Sequence, residues 1–423
     1  MRRIINTKSL LFIFSITLSL VLVPAVSKIS TADNFLADNN NLNVILLIGD
    51  GMGFEHVQIA EWVELGTSGS FDFRNLTAFA SMTTFSADDA VTDSAASATA
   101  MACGIKTDNG YLGVDPATNP VQNIVEVAQS MNKSTGLIST ATVVHATPAG
   151  FYVHHTSRYD YTTIAQQMID SGVDIILGGG EQYFIDQIDD LVSKGYSMVY
   201  NRDELLNETS NKIVGLFDSS YMDLERTRNY TLTPSITEMT QSALAKLSTN
   251  ENGFFLMVEG AQIDLEAHDH NTINVVLETI AFTEAVTAAL AFAEGRDDTI
   301  VIVTADHETG VLVIQDENLN STLPAEKATE EEKRALRVAR ADMLTVAWTS
   351  TYHTADNVPF YAYGDFFTSM ENGSIIDNTD VFDIMTAYYN EQPYTIPEFA
   401  QTILGLIPLV GFFAIIIIRR KKE

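Results

Sequence analysis

The sequence predicts an α/β sandwich, with a central, mostly parallel sheet flanked by helices. Three observations predict it. Short apolar, β-branched runs recur between residues 40 and 392, longer segments with helical spacing separate them, and no repeat or long linker breaks the alternation. Strands of a parallel sheet are covered on both faces, so they read as continuous apolar runs between helices. With 423 residues, 46% of them hydrophobic, the chain is long enough to bury a large core. Aromatics at 9% and charged residues at 19% exclude a disordered polymer.

Taken in order, the chain opens with Arg2, Arg3 and Lys8, an apolar run over 10–23, and small residues at Ala25 and Ser27. That order predicts a secretory signal peptide over 1–27, with an uncleaved anchor as the alternative. The main globular domain is expected over 40–392. Its strands are expected at 43–48, 136–139, 173–177, 254–258, 299–304 and 359–363, and helices at 121–131 and 279–292. The segment 324–343 (LPAEKATEEEKRALRVARAD) reads as a charged, exposed helix, an insertion or a lid, whereas 201–229 is polar and fits neither pattern. A linker, 393–398, leads to a second apolar stretch, 399–418, closed by the basic tail 419–423. Twenty residues at 1.5 Å per residue span the hydrocarbon core of a bilayer, about 30 Å. The basic cluster then places the tail in the cytoplasm and the body of the protein outside. A buried core helix is the alternative.

Lys plus Arg number 24 against 55 Asp plus Glu, for a formal charge of −31. Cleavage after residue 27 removes three basic residues, and loss of 398–423 removes four more with two acidic ones. The ectodomain keeps 17 basic and 53 acidic residues, a net of −36. So acidic a surface argues against a nucleic-acid partner. An anionic substrate would need local positive charge supplied by the site itself. The single cysteine, Cys103, excludes an intramolecular disulfide and any multi-cysteine metal site.

Metal-ligand residue types gather at the ends of the expected strands, where α/β sheets place their sites. Asp50 follows the first strand in IGDGMG. Glu259 ends the fourth, and Asp264 and His268 follow it at i, i+4 spacing, on one side of a helix. Asp306 and His307 follow the fifth in TADHETG, and His353 precedes the sixth. Each alone reads as a cap or a surface residue, but together they are hard to explain as separate caps. Ser94, in VTDSAASATA, opens an alanine-rich helix; it reads either as an N-cap or as a hydroxyl presented with helix N-terminal amides to an anion. Arg158 is either a surface arginine or a fork for two phosphoryl oxygens.

IGDGMG, VTDSAASATA, ATPAGFYVHHTSR, VEGAQID followed by His268, TADHETG and YHTADNVP occur in the order found in alkaline phosphatases. The resemblance spans roughly residues 42 to 390. It implies the sandwich of that family and the hydrolysis of phosphate monoesters through a phosphoserine at Ser94. Asp264, His268 and His353 would hold one zinc ion, and Asp50, Asp306 and His307 a second. Asp50 would bridge to a third metal, usually magnesium, shared with Thr147 and Glu259. Arg158 would hold the phosphoryl group, oriented by Asp93. Two departures stand out: His145 replaces the aspartate of the best-known bacterial enzymes and resembles the animal ones, and Leu265 replaces their lysine. Without that lysine phosphate would be held less tightly, and an imidazole at His145 favours zinc over magnesium unless it acts through a bound water. His56, His154, His155 and His270 receive no role beyond the surface or support of the site. Family members are commonly dimers, but nothing in the sequence identifies an interface. The segment Ile396-Pro397-Glu398-Phe399 with its apolar run and basic tail also resembles an archaeal PEF-type sorting signal. The expected function is an exported, membrane- or envelope-anchored phosphomonoesterase. The alternatives are a phosphodiesterase or a phosphonate or sulfate ester hydrolase of the same superfamily and, more distantly, an inactive surface binding protein.

Overall fold

A computed structural model describes residues 41–394, apart from 68, 70, 317–322 and 328. The expected signal peptide, most of the linker, the apolar stretch 399–418, the basic tail and the sorting-signal tripeptide lie outside the described residues. Fourteen strands are described, in chain order: β1 (Asn43–Gly49), β2 (Ala78–Thr83), β3 (Ser134–Thr142), β4 (Ile175–Gly179), β5 (Ser197–Val199), β6 (Ile213–Leu216), β7 (Phe254–Gly260), β8 (Thr299–Ala305), β9 (Glu308–Thr309), β10 (Leu312–Asp316), β11 (Thr345–Trp348), β12 (His353–Thr354), β13 (Val358–Tyr363) and β14 (Ser374–Asp377).

Ten of them form one sheet in the order β14-β2-β13-β8-β1-β7-β3-β4-β6-β5. Every pairing is parallel except those of β13 with β2 and β8. β1, β7 and β8 are buried along their whole length, which is why they read as unbroken apolar runs. Each large apolar side chain so buried contributes about 1.5–3 kcal/mol, so the centre of the sheet is the most strongly fixed part of the fold. Register then does the positioning. Ile48 lies beside both Glu259 and Thr304, and Gly49 beside Gly260 and Ala305. The carboxyl ends of the three central strands are therefore level, and Asp50, Glu259 and Asp306 emerge side by side.

The helix expected over 121–131 runs Ile124–Ser130. Asn123 caps it, accepting from the Glu126 amide while Glu126 accepts from the Asn123 amide. That expected over 279–292 is longer, Thr272–Ala293, with Asn271 as its cap. Among the described residues it is the one helix long and apolar enough to cross a membrane, and about two-thirds of it is buried inside the fold.

The stretch 324–343 is not a free lid. It contains a helix, Glu330–Ala341, whose arginines bind the body of the protein. Arg337 bridges Glu64 and Glu284. Arg340, fully buried, donates to the carbonyls of Trp62 and Val63 at the end of the helix Phe54–Leu65. Burial of the long arginine stems against the neighbouring helices overrides the exposure that the charge pattern suggests.

Candidate active site and metal centre

Ser94 is the first residue of the helix Ser94–Cys103, and its cap is Asp93, whose Oδ1 accepts from the Ala96 amide at 2.9 Å. Because Asp93 does the capping, the Ser94 hydroxyl is left free for chemistry. It is buried, with Oγ 3.3 Å from His307 Nε2. Ser97, one turn on, donates to the Asp306 carbonyl at 2.8 Å and locks the helix to the end of β8. The other oxygen of Asp93 accepts from Arg158 at 2.9 Å and from the Gly110 amide at 3.0 Å. The Arg158 amide donates to the Gly110 carbonyl at 2.9 Å. One carboxylate thus caps the serine helix and fixes the arginine, tying the two groups to one frame.

Around Ser94 the carboxylates and imidazoles gather in overlapping groups. Ligand atoms of Asp264, His307 and His353 lie within 4.8 Å of one another, as do those of Asp50, Asp306 and His307, and those of Asp50, His145 and Glu259. His268 joins the first group, its Nε2 3.3 Å from Asp264 Oδ2 and 3.1 Å from His353 Nε2. The structure brings His307 close to both Asp264 and Asp50, and its ring stacks on that of His353 at 3.5 Å. Thr147 sits on the short helix Ala146–Ala149, fully buried and close to the Glu259 carboxylate.

The electrostatics demand cations. Burial and the neighbouring charges of Asp306, Asp264 and Glu259 hold the Asp50 carboxyl well above its usual range. Burial raises Glu259 and Asp306 too. Burial pushes His145 down to about 3, helped by Arg158, so its imidazole is neutral with a free lone pair. Both oxygens of Asp50, Glu259 Oε1, Asp306 Oδ2 and His145 Nδ1 are buried without a hydrogen-bond partner, an arrangement that costs stability unless an ion fills it. The histidines give a sharper test. His268 Nδ1 bonds the Thr351 carbonyl at 2.6 Å and His353 Nδ1 the Thr92 carbonyl at 3.0 Å. A carbonyl only accepts, so each Nδ1 carries the proton and both Nε2 lone pairs point into one space beside Asp264. That is the outer-shell pattern of metal-ligating histidine. Without a metal, a proton takes the place, and the hydrogen bond with Asp264 raises His268 to about 9. The donors fit divalent metals, with nitrogen and oxygen for zinc in the first two groups and mainly oxygen in the third.

Several contributors escape the sequence reading. Thr309 Oγ1 donates to Asp264 Oδ1 at 2.5 Å and lies 3.3 Å from His307 Nδ1. It stands two residues after His307, a spacing that places both on one side of an extended chain, and this was the available signal. Ser139 donates to Glu259 at 2.5 Å. Gly51 has φ +70, and a Cβ there would lie 2.8 Å from Asp264 Oδ1, so glycine is required where β1 meets the site. His270, expected at the surface or in support of the site, bonds the Ser350 carbonyl at 2.6 Å and stacks on Trp348, steadying the loop that carries His353.

The alkaline phosphatase family model matches residues 41–340. The chain belongs to the alkaline phosphatase family. Alkaline phosphatase 4 of Bacillus subtilis is 34% identical over 409 residues, covering 81% of this chain and 87% of that protein. The alkaline phosphatase of Escherichia coli is 30% identical over 83% of this chain and 87% of its own length. Among solved structures, the cold-active alkaline phosphatase of a psychrophilic Shewanella superposes with a TM-score of 0.73 at 30% identity, covering 82% of this chain and all of that one. The alkaline phosphatase of the Antarctic bacterium TAB5 gives 0.70 at 29% identity, covering 82% and 98%. A variant of the TAB5 enzyme with one histidine replaced by aspartate holds magnesium at a site called M3. The family fold is the ten-stranded sandwich described above, and the motif residues occupy its carboxyl edge.

Proposed function

We propose that this chain is a metal-dependent phosphomonoesterase in which Ser94 is transiently phosphorylated. The observation that carries the reading is the uncapped Ser94 hydroxyl, facing a cluster of carboxylates and imidazoles whose buried lone pairs lack partners, beside an arginine fixed by Asp93. Asp264, His268 and His353 would hold one zinc ion and Asp50, Asp306 and His307 another. Asp50, Thr147 and Glu259 would hold a third metal, magnesium in most of the family, with His145 favouring zinc or contributing through water. When bound, these ions supply Lewis acidity, which makes the Ser94 hydroxyl and a second-step water competent nucleophiles and balances charge on the departing oxygen.

The protein's own groups do the rest. Arg158 offers its guanidinium fork to two phosphoryl oxygens, and its salt bridge to Asp93 fixes the fork's angle. The amides of the first helical turn face the same oxygens. Ser94 Oγ attacks phosphorus in line and the ester oxygen departs. Water then attacks the phosphoserine, releasing phosphate and restoring the hydroxyl. The transition state is loose and highly charged, so positioning and electrostatics account for most of the rate.

The order of features in the sequence supports export through residues 1–27 and anchoring through 399–418, with the catalytic domain outside the cell. Acid quench of the metal-loaded protein with a monoester, followed by peptide mass analysis, tests the mechanism. Phosphate on Ser94 is expected. A phosphorylated residue elsewhere, or undiminished turnover in Ser94→Ala, would overturn it.

A further inference from the structure

Trp348 ends β11, a few residues before His353, and its neighbours are not those of a core residue. The ring is half-buried and stacks on His270, centroids 5.5 Å apart and planes 7° from parallel. It meets His56 edge-on, at 5.6 Å and 61°. Its Nε1 donates to Thr272 Oγ1 at 3.0 Å, at the start of the helix Thr272–Ala293. Gly310, with φ +96, also lies against it; a Cβ there would stand 2.5 Å from the ring. His270 has a left-handed backbone, φ +55, uncommon for a residue with a Cβ. From that position its imidazole reaches both the ring and the Ser350 carbonyl.

The chain that leaves Trp348 is folded back onto Gly310. The Thr349 and Ser350 amides both donate to the Gly310 carbonyl at 3.1 Å, and the Gly310 amide donates to the Tyr352 carbonyl at 3.2 Å. The return then enters β12, where His353 pairs with Thr309. Within it lies Thr351, whose carbonyl fixes the His268 tautomer. His353 and the group that orients His268 therefore both hang from the segment that begins at Trp348. Thr349, Thr351 and Tyr352 are exposed, so the segment has little packing of its own to hold its shape. Asp50, Asp306 and His307 differ: they are buried at the ends of β1 and β8 and stand on the sheet itself.

We propose that Trp348 is a positioning residue for the metal group of Asp264, His268 and His353. Its ring, held among His56, His270 and Gly310, sets the place of the His353 imidazole and of the Thr351 carbonyl. It thereby sets the zinc affinity of that group, with little effect on the group of Asp50, Asp306 and His307. The inference rests on the metal-dependent phosphomonoesterase reading and assigns within it a residue that serves one ion and not the other. The chain has two tryptophans, Trp348 and the buried Trp62, so fluorescence can isolate the ring.

The experiment titrates zinc into the full metal-free chain against a chelating dye. Trp348→Leu should bind one zinc ion about 10–100-fold more weakly, the loss that follows removal of an outer-shell partner, and the other as wild type does. Trp348→Phe keeps a stacking ring and should retain most of the affinity. Because the ring acts through His353, Trp348→Leu should add little further loss in a His353→Gln background, whereas an independent structural defect would add in full. In Trp62→Phe, zinc should change the Trp348 emission; in Trp348→Phe, the remaining emission should stay constant. Equal zinc affinity in Trp348→Leu and wild type, an undiminished loss in the His353→Gln background, or Trp348 emission indifferent to zinc would each overturn the role. Should Trp348→Leu not fold, the emission measurement decides. The predicted zinc shift in a chain that hydrolyses no monoester would sink the phosphomonoesterase reading and leave Trp348 in its role; no zinc uptake by wild type would remove both.

Discussion

Ser94 and Thr309 do opposite jobs with the same functional group. The Ser94 hydroxyl is kept free because Asp93 takes the capping role, whereas the Thr309 hydroxyl is committed to Asp264 Oδ1 and sits against His307. Ser94→Ala should therefore abolish turnover with circular dichroism and zinc content unchanged. Thr309→Val keeps the shape and removes the donor, so Asp264 loses the contact that sets its rotamer. Loss of such an outer-shell partner costs about 10–100-fold in metal affinity. Competition with a chelating dye should show that loss, and Thr309→Ser should restore most of it. Equal zinc affinity in Thr309→Val and wild type would remove Thr309 from this role.

Among the elements, the segment around His154 should make a pH-dependent contribution to stability. His154 Nδ1 lies 2.6 Å from the Gly113 carbonyl and Nε2 3.1 Å from Glu126 Oε1, so both nitrogens face acceptors. The hydrogen bond to Glu126 raises the imidazole above its usual value. A group raised on folding stabilises fully below its unfolded pKa, about 6.5 for histidine, and the gain is lost as pH rises through the folded value. Both side chains are partly solvated, which limits the gain to about 0.5–1 kcal/mol. Thermal melts of His154→Gln should fall below wild type at about pH 6 and converge with it at about pH 10. A gap that widens with pH would contradict the assignment.

The strands β1, β7 and β8 were legible because burial on both faces leaves an apolar run that few other elements imitate. β2 alternates buried and half-buried residues, and β5, β6 and β14 have three or four residues each; these carry too little apolar signal to be read. The carboxylates and imidazoles that gather around Ser94 were legible through their motifs. Ser139 and the carbonyls that orient His268 and His353 were not, because hydrogen bonds between distant segments leave no periodicity behind, whereas Thr309 left only its two-residue spacing from His307. Arg340 misled for a related reason: a charged residue buried by its carbonyl partners has the composition of an exposed one.

At the scale of the whole molecule, charge and site pull against each other. A chain with a formal charge of −31 repels an anionic ester over the length that salt leaves unscreened, roughly 10 Å at 0.1 M. Raising ionic strength from about 0.05 to about 0.5 M should lower KM roughly twofold or more and leave kcat nearly unchanged, because the buried site is screened far less. A KM that rises with salt would show that local positive charge, and not the acidic surface, governs encounter.

The lone pairs of Asp50, Glu259, Asp306 and His145 that lack partners, and the facing Nε2 atoms of His268 and His353, converge on one claim: the site works only with metal. The most direct measurement is hydrolysis of p-nitrophenyl phosphate at alkaline pH by the purified chain, before chelation, after it, and after zinc and magnesium are returned. Activity that disappears on chelation and returns with the metals is the predicted result. Hydrolysis that persists in the verified metal-free protein, or no hydrolysis by folded protein with its metals restored, would contradict it.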